Sequence, residues 1–342
     1  MSNFDVDEGK MALKIYLNYA KARLLIIIYP LAEANGNDCK IHCRPIYGTV
    51  KDKLGIKGFS QTNVRMKTIS ANINERLAET AFTNQSGIFD ELYSGNTIVN
   101  YKRERVRTHV LQYLTPESSI LELNSGTGED ALFFAQKGHR VHSTDISVGM
   151  QQELKRKVIK NGLAEKISNE LCSFTMLHQL KNKNHYDIIF SNFAGLNCTD
   201  ELDAVLASFN DLLKPNGVVT LVILPKFCLW ETLMIFKGKF KTAFRRFFSR
   251  NGTTAHVEGV YFKCWYYNPS YIIKRLKGQF DLLSIEGLCT IVPPSYIEGF
   301  AEKYPAAYAF LKRKEDKLKT RWPWKFIGDY YIISLRKRLS EV

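Results

Sequence analysis

Two glycines and an acidic residue stand together between a short apolar run and an amphipathic stretch of the chain. Gly126 and Gly128 follow residues 119–123, and Glu122 lies inside that apolar run. Glycine lets the backbone approach a bound molecule closely, because no Cβ stands in the way and a positive φ costs little. The carboxylate of Glu122 would repel a pyrophosphate but suits a ligand that carries an ammonium group. The spacing therefore predicts a binding site for a positively charged ligand.

Asp145 places a second carboxylate at the end of the next predicted strand. It follows Gly128 by seventeen residues, at the place where an acidic side chain binds the two hydroxyls of a ribose. The same spacing would fit a dinucleotide, with Ala131 at the position of the third glycine. Glu122 argues against that interpretation, because its charge would oppose the pyrophosphate.

This loop resembles the S-adenosylmethionine (AdoMet) site of class I methyltransferases. The residues that carry the resemblance are Glu122, Asn124, Gly126 and Gly128, followed by the segment 144–150 with Asp145 and Met150. Asn124 stands where the family usually has its first glycine, and asparagine tolerates the left-handed backbone conformation. The resemblance implies AdoMet as the cofactor.

Other segments extend the resemblance over residues 70–336, most strongly between 119 and 220. Residues 186–197 and 212–217 are similar to segments of bacterial small-molecule methyltransferases. Residues 89–93 and 101–103 resemble the N-terminal helical lid of that group.

Carried onto this sequence, the family pattern implies a set of cofactor-binding residues. They are Tyr93, Arg103, Glu122, Asn124, Gly126, Gly128, Asp145, Ile146, Ser173, Phe174 and Asn192. Gly126 and Gly128 would line the methionine part, Asp145 would bind the ribose, and Ile146 would lie against the adenine. Ser173 stands where the family often has an acidic residue for the adenine amino group. Arg103 could anchor the methionine carboxylate or belong to a solvated helix face.

The elements that must position these residues alternate between short apolar runs and amphipathic stretches, which is typical of βαβ units. Strands are predicted at 119–123, 140–144, 167–172, 186–191, 218–224, 258–267, 280–289 and 328–335. We expect an α/β fold with a doubly wound, seven-stranded, mostly parallel sheet whose last strand is antiparallel. The expected organisation is an extension of unclear structure (1–65), a helical lid (66–118) and a methyltransferase domain (119–336). Helical insertions at 225–257 and 292–325 are expected to form a cap over an acceptor pocket.

Residues 236–250 form a basic, aromatic stretch that allows two interpretations. If the stretch is one helix, its five phenylalanines gather on one third of the surface and its cations flank them. We expect these rings to pack inward over the acceptor pocket, because five exposed aromatics would favour aggregation. The alternative is a helix that lies in a lipid headgroup interface, which would make peripheral membrane contact.

No pair of residues is typical of a nucleophile, and the catalytic residues stay unknown at this stage. Weak candidates for a base are His256, Tyr266 and Tyr267. Positioning supplies most of the acceleration in methyl transfer, and a base is needed mainly for a neutral hydroxyl. We expect an AdoMet-dependent methyltransferase that acts on a small-molecule or lipid-like acceptor at oxygen. The alternatives are an RNA or protein methyltransferase, or a non-catalytic AdoMet-binding protein.

Composition limits the remaining classes. The chain has 342 residues, a net charge of +14 and seven cysteines. The charge indicates an anionic partner, but no RNA-binding motif is present, so a nucleic-acid partner is not expected.

Cys39, His42 and Cys43 cluster without a second ligand pair, and we expect no metal. The longest apolar run, residues 24–29, is far too short to span a membrane, and we expect a cytoplasmic protein. The oligomeric state does not follow from the sequence.

Overall fold

The computed structural model describes residues 73–180 and 186–339. The predicted extension 1–65, the start of the predicted lid at 66–72 and the Cys39, His42 and Cys43 cluster lie outside the described residues. The α-helices are α1 (Ile73–Gln85), α2 (Phe89–Ser94), α3 (Thr97–Leu111), α4 (Glu129–Gln136), α5 (Val148–Lys160), α6 (Leu202–Leu212), α7 (Leu229–Thr232), α8 (Phe240–Phe244), α9 (Pro269–Leu276), α10 (Phe300–Lys303) and α11 (Pro305–Leu318). The strands are β1 (Ser119–Leu123), β2 (Arg140–Asp145), β3 (Ile167–Leu171), β4 (Tyr186–Ser191), β5 (Leu213–Ile223), β6 (Thr253–Val257), β7 (Val260–Cys264), β8 (Phe280–Leu288) and β9 (Tyr330–Lys337).

Seven of these strands form one sheet in the order β3-β2-β1-β4-β5-β9-β8. The first five strands of that order run parallel, and β9 is antiparallel to both β5 and β8. The sheet confirms the predicted α/β fold with its antiparallel last strand. The order reverses between β1 and β4, and ligands of open α/β sheets bind at such a point, beyond the carboxyl ends of the strands.

The core lies on both faces of the sheet, because adjacent residues of a strand point to opposite sides. Ile120 belongs to the cluster on one face, together with Phe134 of α4 and Leu154 of α5. Leu121 belongs to the cluster on the other face, together with Phe209 of α6. Removing such a side chain from water stabilises the fold by roughly 1.5–3 kcal/mol. Both faces of the sheet are therefore covered by packed helices. The loops at its carboxyl edge begin at buried strand residues.

Local signals account for most of the element ends. The Ser147 hydroxyl accepts a bond from the backbone N–H of Met150 and caps α5. Residues 214–217 form an interruption inside β5, whose pairing with β4 passes from Leu213 directly to Val218. Asn216 within it has a φ of 63°. The strand predicted from 218 consequently begins at Leu213.

The strand predicted at 258–267 does not join the main sheet. Val260–Cys264 pairs with Thr253–Val257 in a separate two-stranded sheet, which packs against α1. The positive φ values of Glu258 and Gly259 form the tight connection between the two strands. Sequence reasoning missed the hairpin because it places residues 253–257 in the helical insertion 225–257.

The expectation that the phenylalanines of 236–250 pack inward on one helix is wrong. The segment consists of a 3₁₀ turn (Leu233–Lys237), the short helix α8 and further turns, and Gly238 ends the 3₁₀ turn with a φ of 69°. The five rings are exposed to between 40% and 82%. They are Phe236, Phe240, Phe244, Phe247 and Phe248. In place of the rings, the Arg246 guanidinium is buried beneath the segment.

Among the described residues, no helix is both long and apolar enough to cross a lipid bilayer. The second predicted insertion, 292–325, contains α10 and α11.

Candidate active site

A cavity opens at the carboxyl edge of the parallel strands and encloses about 920 Å³, including its mouth. The loop after β1, the end of β2, the turn after β3 and the residues after β4 all reach it, because parallel strands end at the same edge. Helix α1 contributes a further wall with Ala78 and Phe82. The cavity therefore lies where the sequence predicted a ligand.

The glycine loop has the conformation that its residue types require. Asn124 and Gly126 have φ values of 45° and 55°. A Cβ built on Gly126 would find no atom within 4 Å, so the space beside its backbone is open to a ligand. A Cβ on Gly128 would lie 2.0 Å from the Leu154 side chain. Gly126 thus leaves room for a ligand, whereas Gly128 allows α5 to pack closely against the loop.

Asp145 holds this loop as well as facing the cavity. Its Oδ2 accepts a bond from the Gly126 N–H at 2.9 Å, and its Oδ1 accepts one from the Ser147 N–H at 2.8 Å. Burial raises the pKa of Asp145, and these backbone N–H groups oppose the rise. Asp145 lines the cavity, so its carboxylate can also accept a bond from a ligand's hydroxyl groups.

Glu122 is a buried carboxylate with one hydrogen-bond donor. It is 3% exposed, and its Oε2 accepts a bond from the Ser143 hydroxyl at 3.0 Å. Burial raises the pKa of Glu122 well above its ordinary value, and the nearby charge of Asp130 adds to this rise. A cation in the cavity would favour the ionised form of this carboxylate and would in turn be stabilised by it.

Asp130, in the first turn of α4, lines the cavity and binds side chains from two other segments. Its Oδ1 accepts a bond from Arg107 Nε at 2.6 Å and lies 3.7 Å from Arg103 Nε. Its Oδ2 accepts a bond from the Asn192 amide at 2.7 Å. Sequence reasoning missed Asp130 as a site residue and Arg107 as its partner. An acidic residue in the first helical turn is ordinary dipole compensation, so it gave no separate signal.

Glu75 of α1 was also missed, and it brings an acidic group to the turn after β3. Its side chain accepts hydrogen bonds from the hydroxyls of Ser173 at 2.6 Å, Thr175 at 3.1 Å and Thr199 at 3.1 Å. Glu75 lines the cavity, and burial raises its pKa despite these donors. No local pattern could have found this contact, because Glu75 and Ser173 are 98 residues apart.

The structure brings most of the predicted cofactor residues into this one cavity. Its lining includes Arg103, Glu122, Asn124, Gly126, Asp145, Ile146, Phe174 and Asn192. Three predicted residues do not line the cavity: Gly128, Ser173 and Tyr93. Ser173 bonds Glu75, and the Tyr93 ring packs 4.7 Å from that of Phe89, which lines the cavity.

The three weak candidates for a base do not line the cavity. His256 stacks on Tyr261 with ring centres 4.3 Å apart. The Tyr267 hydroxyl donates a bond to the Thr199 carbonyl at 2.6 Å, and burial raises its pKa. Burial also raises the pKa of Tyr266, whose hydroxyl lies 3.3 Å from that of Thr253. Each of the three side chains thus contacts a neighbouring residue of the fold, outside the cavity lining.

The residues present fit AdoMet. Gly126 leaves the open space that a close backbone contact needs, and Glu122 supplies negative charge for the ligand's ammonium group. Asp145 supplies acceptors for ribose hydroxyls, and Phe174 an aromatic surface for a base. The charge and shape of the cavity therefore agree with a cationic nucleoside.

Comparisons with known proteins agree with this geometry. Residues 120–217 match the family model described as a methyltransferase domain. The chain is similar to a malonyl-[acyl-carrier protein] O-methyltransferase of Hamiltonella defensa, at 27% identity over 43% of this chain and 52% of that protein. It is also similar to a ubiquinone/menaquinone biosynthesis C-methyltransferase of Rickettsia bellii, at 27% identity over 46% of this chain and 65% of that protein. The similarity thus spans between half and two thirds of each relative.

A similar fold occurs in the crystal structure of the [4+2]-cyclase SpnF. That structure covers 78% of this chain and 97% of its own, at 15% identity and a TM-score of 0.51. Because the identity is so low, this likeness concerns the fold alone. The sheet order, the glycine loop with its acidic partners and the family match agree with one another, and residues 120–217 therefore lie in a methyltransferase domain with the class I α/β fold.

Proposed function

We propose that the protein transfers a methyl group from AdoMet to the oxygen of a small, lipid-like acceptor. The observation that carries the proposal is the cavity in which Glu122 and Asp145 face the open space beside Gly126. Bound AdoMet would supply a methyl group on a positively charged sulfur. In this proposal Arg103 binds the methionine carboxylate, Glu122 favours the ammonium group and Asp145 accepts bonds from the ribose.

Phe193, which follows Asn192 after β4, lines the cavity and also lies near a buried cation. Lys102 is 3% exposed, and its Nζ donates a bond to the Ser295 hydroxyl at 3.0 Å. The ammonium lies 4.7 Å from the ring centre of Tyr330 and 5.6 Å from that of Phe193. Within the described part of the chain, no carboxylate lies within ion-pair distance of it.

A buried ammonium with one neutral acceptor is stabilised by a nearby negative charge. An acceptor oxygen that has lost its proton would supply this charge at the edge of the cavity. Lys102 would then favour the deprotonated acceptor in a cavity whose described lining contains no histidine or tyrosine. This argument supports an oxygen acceptor. The O-methyltransferase name of one relative agrees with it, although the other relative is named a C-methyltransferase.

The lipid-like character of the acceptor is supported by the exposed rings of 236–250, which suit peripheral membrane contact. Pro225, two residues after the end of β5, and Asp329, directly before β9, both accept hydrogen bonds from Arg246 of this segment. The segment is thus fixed at the same edge of the sheet as the cavity.

The test is turnover with AdoMet that carries a carbon-13 methyl group, incubated with aqueous and lipid extracts of host cells. The chemical shift of the transferred carbon identifies the attached atom as oxygen, nitrogen or carbon. We expect an O-methyl product from the lipid extract and none with Asp145→Asn. A methyl group on nitrogen or carbon would contradict the oxygen acceptor. Label in RNA or protein would favour a macromolecular acceptor, and AdoMet binding without any product would favour a non-catalytic protein.

A further inference from the structure

An exposed surface of aromatic and basic side chains covers residues 233–250, which we call the aromatic surface. Its rings are the five exposed phenylalanines described above, and Leu233 is 40% exposed beside them. Lys237, Lys239, Lys241 and Arg250 are exposed among these rings. Within the described residues, none of these four cations has an ion-pair partner. No acidic residue occurs from 232 to 257. The aromatic surface thus combines apolar rings with uncompensated positive charge.

A buried ionic cluster explains why the rings face outward. Glu231 is 2% exposed, and its Oε1 accepts bonds from Arg246 at 2.7 Å and from Arg245 at 2.5 Å. Arg246 also donates to Asp329 Oδ1 at 2.7 Å. Burial would raise the pKa of Glu231, but the two guanidinium groups outweigh it and lower that pKa. The segment is therefore fixed through its arginines, which leaves Phe244, Phe247 and Phe248 on the outer side.

Cys228 lies beside Glu231 and Asp329, and their potential ligand atoms are within 4.8 Å of one another. The Arg246 guanidinium already binds both carboxylates, so we interpret this group as an ionic anchor for the aromatic surface.

The anchor also fixes where the aromatic surface lies. Arg246 donates to the backbone carbonyls of Pro225 and Asp329, at 3.2 and 2.9 Å. Pro225 follows the carboxyl end of β5, and Asp329 precedes Tyr330, whose ring contacts the Lys102 ammonium. A layer of lipid on the aromatic surface would therefore meet the protein at the edge of the sheet where the cavity opens.

We propose that the aromatic surface docks on a membrane with anionic headgroups and that this membrane is the source of the lipid-like acceptor. Its rings would enter the boundary between headgroups and acyl chains, and its lysines would contact the anionic headgroups. The docking itself stands on the exposed rings and charges. The statement about the acceptor rests on the proposed function. A nucleic acid would also match the charge, but the rings offer no sheet platform on which bases could stack.

The experiment is sedimentation of the full chain with vesicles of phosphatidylcholine alone or with added phosphatidylserine, at low and high salt. One variant replaces the exposed rings of Phe236, Phe240 and Phe248 with Ser. A second variant replaces Lys237, Lys239 and Lys241 with Gln. The matched control replaces three exposed lysines of α5 and α9, Lys155, Lys160 and Lys274, with Gln. AdoMet affinity, measured by calorimetry in solution, verifies that each variant is folded.

We expect the wild type and the control to sediment with phosphatidylserine vesicles at low salt. High salt should weaken this binding by at least about tenfold, because it shortens the Debye length. Each surface variant should also lose at least about tenfold and keep its AdoMet affinity. Equal binding to neutral vesicles, no binding at low salt, or an equal loss in the control would overturn the proposal.

Two further results would assign the aromatic surface to another occupant. If sedimentation velocity shows a dimer that the Ser variant abolishes, the surface is an interface between copies of the chain. If single-stranded RNA binds the wild type and the Lys variant alone loses it, the partner is a nucleic acid. If the wild type does not bind AdoMet, the proposed function is contradicted. Failure of the proposed function is thus distinguished from failure of membrane docking.

Discussion

Asp145 is the residue on which AdoMet affinity should depend most, since it faces the ligand and holds the glycine loop. Asp145→Ala removes an acceptor from two ribose hydroxyls, each bond contributing about 1.5–3 kcal/mol. We expect titration calorimetry to show at least ~100-fold weaker binding of AdoMet. The control is Asp211→Ala on the exposed side of α6, which should bind normally. A loss below about threefold would show that the ribose lies elsewhere.

Glu122 predicts how AdoMet binding depends on pH. Its pKa is raised in the free protein, by burial first and by Asp130 second, and an ammonium ligand would lower it again. Binding should therefore release protons, and affinity should fall by up to about tenfold for each pH unit below the raised pKa. Calorimetry in two buffers of different ionisation enthalpy measures the released protons.

Glu122→Gln provides the comparison for this pH effect. It should bind AdoMet more weakly, release fewer protons and show a flatter pH dependence than the wild type. The same number of released protons in the wild type and in the variant would assign the titration to another group, such as Asp145, whose pKa burial also raises.

At the scale of elements, α1 closes the cavity through one carboxylate. Glu75→Ala would remove its bonds to Ser173, Thr175 and Thr199 while leaving the sheet intact. We expect AdoMet to dissociate about tenfold faster, equivalent to ~1.4 kcal/mol, and α1 to exchange its amide hydrogens more rapidly. Arg76→Ala, on the exposed side of the same helix, is the control. Unchanged dissociation in Glu75→Ala would mean that α1 does not hold the ligand.

At the scale of the whole molecule, Glu286 of β8 ties α3 to the far edge of the sheet. It accepts bonds from His109 at 2.9 Å and Arg105 at 3.0 Å. Burial would raise its pKa, but these two partners outweigh it and lower the pKa to about 2. The resulting stability is complete above the ordinary pKa of 4.5 and is lost as the pH falls from there towards about 2.

Urea unfolding of Glu286→Gln measures this contribution. A shift from 4.5 to about 2 corresponds to about 3 kcal/mol, so the variant should be less stable by that order at pH 7. The difference between wild type and variant should shrink steadily below about pH 4.5. A difference that does not vary with pH would mean that packing, and not the charge of Glu286, stabilises the contact.

The elements, and the residues whose signals are local, can be predicted from the amino-acid sequence alone. β1 and β4 begin and end where the alternation predicted, and Asn124 and Gly126 have positive φ. The cavity residues lie at or just after the ends of the parallel strands, as Asp145 does at the end of β2. Such signals are read within a few residues, because the strand period and the chemistry of glycine act over that distance.

Contacts between residues far apart in the chain could not be predicted in this way, because they depend on the folded structure. Glu75 meets Ser173 across 98 residues, and Arg246 meets Asp329 across 83. The second of these contacts reverses the predicted orientation of residues 236–250. Helical periodicity shows that the rings share one side, but not which side faces the core. The buried partners of Arg246 decide that orientation, since a buried guanidinium requires carboxylates that only the folded sheet brings to it.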